Sequence, residues 1–100
     1  MGTIVSVNKI MSDFTKSSEE PNAEGIHFLI QDLDLAMTFM DTAEATHIKE
    51  TAERNHGNAR TAYETVMRLL QKLQPNAAQQ QEIDKRIAVL RARLRDAGQL

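Results

Sequence analysis

From Ala52 to Leu73 the residues Ala52, His56, Ala59, Tyr63, Val66, Leu70 and Leu73 recur at steps of four and three. All but His56 are apolar or aromatic, and the spacing is one face of an amphipathic α-helix. It restricts the chain to folds in which such faces are paired. Ala62, Met67 and Leu69 widen the stripe, so this helix is expected to meet more than one neighbour.

Two further segments supply those neighbours. Ile26, Leu29, Leu33, Ala36, Met40, Ala43 and His47 keep the same alternation. Ile30 and Met37 extend that stripe on one side, and Phe28, Leu35 and Phe39 on the other. At about 100° per residue, the apolar sector covers more than half of the helix circumference. Ile83, Ile87, Leu90, Leu94 and Ala97 form a narrower seam near the C-terminus. A chain of 100 residues is at most one domain, and its core is aliphatic, with three Phe, one Tyr and no Trp to contribute.

The stripe loses phase by two residues between His47 and Ala52, a swing of about 200° on a continuous helix. A break at Ala45-Thr46-His47-Ile48 is therefore expected, with Thr46 or Thr42 as cap. The rival break is Asn55-His56-Gly57-Asn58. With the first break, Gly57 lies inside helix two, where it costs about 1 kcal/mol against alanine and allows a close helix approach. Pro21-Asn22 and Pro75-Asn76 read as matching starts, each with Asn as N-cap, and Gln79 completes a capping box at the second. Gly98 ends the third helix. The spacing thus predicts an all-α, antiparallel three-helix up-down bundle over residues 23–100, with helices near 23–46, 49–74 and 77–97. Residues 1–22, with a polar stretch from Thr15 to Glu20, read as a flexible N-terminal arm or leader.

Charge is distributed unevenly. Residues 26–47 carry −4 with no Lys or Arg, whereas 48–74 and 75–100 carry +2 each. Such segments can satisfy one another within one fold. Asp32 and Asp34 read as an acidic edge that meets cations of a neighbour. Arg86, Arg91, Arg93 and Arg95 scatter around the third helix among acids and without aromatics, which reads as a solvated basic face and argues against nucleic-acid binding. No apolar run approaches the ~20 residues of a membrane span, and the N-terminus lacks a signal-peptide pattern, so a cytoplasmic protein is expected.

Three constellations bear on function. Each histidine follows a glutamate by three residues: Glu24/His27, Glu44/His47 and Glu53/His56. This spacing puts carboxylate and imidazole on one helix face, as in helical di-iron sites. A hairpin would bring Glu44, His47, Glu53 and His56 to one end, the alternative reading being a small metal-binding protein. Without a metal at that end, no cofactor is expected. Catalysis has little support, since there is no Cys and no Gly-rich phosphate loop, and all four serines lie in the first 18 residues. Tyr63 reads as a core residue with its hydroxyl at the rim. Phe28, Leu35 and Phe39 form the third constellation. Unless helix three covers them, they leave an apolar patch for another protein or for a second copy of the chain in a homodimer.

Leu35-Ala36-x-x-Phe39 followed by Ala59-x-x-x-Tyr63-x-x-Val66 resembles the helix A and helix B signature of a tetratricopeptide repeat, over about a third of the chain. The resemblance implies a helical hairpin with alanines at a close crossing, and a role in protein binding. The expected function is a non-catalytic interaction or oligomerisation module.

Overall fold

Helix α1 spans Glu20–Ala45, α2 Lys49–Leu70 and α3 Ala77–Asp96. The structure is a computed structural model and describes residues 20–100, with side chains from Asn22 onward. The helices form the expected three-helix bundle, and no strand occurs among the described residues. The anticipated N-terminal arm falls outside the described residues up to position 19; residues 20–22 belong to α1.

Side-chain pairings fix the directions. Asn22 near the start of α1 bonds to Gln74 just beyond α2, so these two helices are antiparallel. Arg86 and Arg93 of α3 reach Asp34 and Asp41 of α1, both at an offset of 52 residues, so α3 runs parallel to α1. Arg91 bonds to Tyr63, in keeping with an antiparallel α2–α3 pair.

The core forms where the three stripes meet. Ile26, Leu29, Leu33, Ala36 and Met40 of α1 pack with Ala59, Ala62 and Val66 of α2 and with Ile83, Ile87, Leu90 and Leu94 of α3. Each full-sized side chain removed from water contributes about 1.5–3 kcal/mol. The first half of α2 is less buried than its stripe predicts, and Ala52 and His56 are only half-buried. The pairing of Tyr63 with Arg91 carries the reason. Continued along antiparallel helices, that register places the end of α3 near residue 58, so residues 49–57 have α1 alone as a neighbour.

The first break lies at 46–48, where the phase is reset. Thr46 does not cap α2 from the N-cap position. Its hydroxyl accepts from the Ile48 N–H at 3.1 Å, and Ile48 itself occupies the N-cap without a side-chain bond. At the second turn, the Asn76 side chain accepts from the Gln79 N–H and the Gln79 side chain from the Asn76 N–H, each at 2.8 Å. This is the expected capping box. α2 stops at Leu70, earlier than the stripe implies, because Pro75 disfavours helical geometry at Gln74 and the last residues tighten into i→i+3 turns. At the far end of α3, Gly98 adopts φ 76°, and the Gln99 N–H reaches the Leu94 carbonyl at 2.8 Å. Together with the Gly98–Arg95 bond, this closes a Schellman motif.

Asn22 does not mirror Asn76. It lies inside the first turn of α1, and its side chain accepts from the Gln74 N–H at 2.9 Å and donates to the Gln74 carbonyl at 3.3 Å. The Gln74 N–H and carbonyl, beyond the end of α2, are thereby satisfied from across the bundle. The close approach expected at Gly57 occurs instead at Gly25, where an added Cβ would lie 2.7 Å from Leu73 Cδ2. Around Gly57 nothing lies within 4 Å of such a Cβ. Gly57→Ala is therefore expected to stabilise the protein by about 1 kcal/mol, seen as a thermal midpoint raised by about 4–8 °C. An unchanged or lower midpoint would contradict this account of α2.

Candidate interaction groove

The two flanks of α1 meet different surroundings. On the α3 flank, Arg93 donates to Asp41 at 3.0 Å and to Glu44 at 2.8 Å, and its other terminal nitrogen lies 3.8 Å from Met37 Sδ. Arg86 bridges Asp34 of α1 and Glu82 of its own helix. The Arg93 side chain is only 22% exposed. Burial alone would lower its pKa, but the hydrogen bonds to Glu44 and Asp41 outweigh that and leave it raised. The acidic α1 segment is thus matched by cations of α3, and three of the four arginines expected on a solvated face are engaged internally. The third, Arg91, donates from Nε to the Tyr63 hydroxyl at 2.9 Å, which places that hydroxyl at the rim as anticipated.

The opposite flank of α1 borders an open groove of about 400 Å³ against α2. Phe28, Asp32, Leu35 and Phe39 line it from α1, at steps of four, three and four. Asn58, Thr61 and Thr65 form the α2 rim, with Ala62 between them. Phe28 is 52% and Leu35 47% exposed, whereas Phe39 is partly buried against the core. Helical geometry accounts for the difference: at about 100° per residue, Phe39 lies about 20° nearer the buried stripe than Phe28 and about 40° nearer than Leu35.

Asp32 shares this wall and, unlike Asp34, forms no ion pair among the described residues. Burial pushes its carboxyl above the ordinary aspartate value. A carboxylate whose pKa is raised on folding disfavours the folded state at neutral pH, and the penalty is relieved as pH falls through the folded-state pKa. Asp32→Asn is expected to be the more stable protein at pH 7 by about 0.5 kcal/mol, the scale of a partly exposed substitution. Urea titrations should show that advantage vanishing below the unfolded-state pKa; an advantage persisting there would contradict the assignment.

No family model, curated protein or solved structure matches this chain.

The Glu-x-x-His residues are dispersed. Glu44 is held by Arg93, His47 is exposed in the α1–α2 link, Glu53 lies 4.0 Å from Lys49 and His56 is half-buried on α2. His27 pairs instead with Gln31 at 3.1 Å. Among the described residues, no group of three or more His, Asp or Glu side chains is placed to hold an ion. No described helix is long and apolar enough to cross a membrane.

Proposed function

We propose that this chain is a non-catalytic protein–protein interaction module whose working surface is the α1–α2 groove, and that the groove takes an amphipathic helix. The observation carrying the proposal is the placement of Phe28 and Leu35. Two large apolar side chains, seven residues apart on one helix, stand about half exposed beside a shallow, open groove. A helix laid alongside α1 with apolar anchors at i and i+7 would meet both. The resemblance of Leu35-Ala36-x-x-Phe39 and Ala59-x-x-x-Tyr63-x-x-Val66 to a tetratricopeptide hairpin points the same way.

The test compares wild type with the double variant Phe28→Glu/Leu35→Glu by sedimentation and thermal unfolding. Phe39 is left untouched, because it packs on the core and its loss would perturb folding directly. A groove that holds a helix of this chain, a second copy's or its own, requires the variant to change either association or stability. If assembly state and midpoint are both unaltered, the groove holds no helix of this chain and its reading as an oligomerisation surface fails.

A further inference from the structure

Resting on that reading of the groove, we infer that its occupant is a second copy of this chain, in a two-fold dimer whose axis runs along the helices and lays each α1 over the partner's α2. Charge carries the inference. The α1 side of the groove is acidic: Glu24 precedes Phe28 by one turn, Asp32 follows it by one, and α1 contains no Lys or Arg. The α2 side is basic at the same level. Beyond Thr65 the open surface continues along Arg68, Leu69 and Lys72. Glu64 is turned about 100° away from Thr65 on the helix, and Arg60 holds it at 3.5 Å. Glu24, Asp32, Arg68 and Lys72 have no ion-pair partner among the described residues, whereas Asp34, Asp41 and Glu44 on the other flank of α1 all have one. Arg68 reaches only the Thr65 hydroxyl, at 3.4 Å.

A face built from two antiparallel helices meets its own copy about a two-fold axis lying either across the helices or along them. The first choice sets α1 against α1 and α2 against α2, acid on acid and cation on cation. The second sets α1 against α2 with every residue at an unchanged height. Counted from the Asn22–Gln74 clasp along antiparallel helices, Glu24 stands level with Lys72 and Phe28 with Arg68. Glu24 therefore meets the partner's Lys72. Arg68 lies over the partner's Phe28, one turn (about 6 Å) from the level of each acid, so its guanidinium rests on the ring and reaches a carboxylate. Phe28 and Leu35 are covered by the partner's Leu69 and by the methyl groups of its Thr61 and Thr65. Each contact is made twice per dimer, and α3 lies on the far side of both hairpins. The partner's cations also offset the burial penalty that Asp32 carries in the isolated chain.

Two charge-reversed variants, Glu24→Lys/Asp32→Lys and Arg68→Glu/Lys72→Glu, test the arrangement by sedimentation, with circular dichroism to verify that both fold. Wild type is expected to be a dimer. Each variant alone brings like charges together at both contacts and should associate at least about tenfold more weakly. Mixed in equal amounts, the two variants are complementary at both contacts and should recover the dimer as a heterodimer, a result that misfolding of either cannot produce. A monomeric wild type overturns the inference and leaves the groove to a helix of another protein. A dimer that both reversals leave intact, or whose loss the mixture does not repair, overturns it too. The reading of the groove as an oligomerisation surface falls separately, when Phe28→Glu/Leu35→Glu alters neither association nor stability.

Discussion

Leu90→Ala lowers the unfolding free energy by about 2–5 kcal/mol, whereas Val89→Ala, one position earlier, changes it by no more than about 0.5 kcal/mol. Both residues are aliphatic and both stand in the middle of α3, so helix propensity cannot separate them by that margin. Burial does. Leu90 is fully enclosed by the other two helices, while Val89 is 48% exposed on the α1–α3 rim. Shortening Leu90 leaves a void between three rigid backbones that can close only in part, and the lost contacts add to the lost transfer energy. Small proteins have about 5–15 kcal/mol of stability in total, so this one change removes a large share. Urea titration with an unchanged slope is the measurement. A Leu90→Ala cost no larger than that of Val89→Ala would mean that α3 does not close the core.

Enlarging a small residue should be nearly as damaging at Ala59. This alanine has no exposed surface and lies in the core with Ala36 and Ala62, where α1 and α2 approach each other. The distance between packed helices follows the size of the side chains at their contact. Ala59→Leu forces the pair apart or into unfavourable rotamers, at a cost of about 1–3 kcal/mol. Arg60→Leu introduces the same side chain one position along, on the exposed face. It removes only a surface pair with Glu64 at 3.5 Å, worth at most about 1 kcal/mol. The difference between the two urea midpoints isolates packing from helix propensity and added hydrophobicity. Equal midpoints would place Ala59 away from any close helix contact.

Features encoded by neighbours in sequence are legible in the sequence itself. The spacing of Ile26, Leu29, Leu33, Ala36 and Met40 marked the buried face of α1, because a helix turns every residue by a fixed angle. The phase reset at Ala52 located the first break, and Asn76 with Gln79 located the start of α3. What escaped depends on partners distant in the chain. Asn22 looked like a cap until the end of α2 was brought beside it, 52 residues away. Gly25 gained its role only from Leu73, and Gly57 lost the one expected of it because no helix faces it closely. Arg93 was one of several scattered cations until α1 supplied Asp41 and Glu44. The candidate groove was half legible. Phe28, Leu35 and Phe39 were recognisable as surplus to the stripe, but only the position of α2 decided which of them lines the open channel and which is tucked beneath it.

The way α3 is finished at both ends has a kinetic consequence. Its first turn is sealed by Asn76 and Gln79, and its last by the backbone around Gly98, so neither end depends on another helix for its hydrogen bonds. By contrast, α1 and α2 share the Asn22–Gln74 clasp and are linked by only three residues. Detaching α3 therefore exposes its apolar seam without stranding any terminal amide or carbonyl, and it requires breaking cation–carboxylate pairs that salt already screens. α3 is therefore expected to open first as a unit while the α1–α2 hairpin stays shut, which native-state hydrogen exchange would read as weaker protection of the α3 amides than of those in α1 and α2.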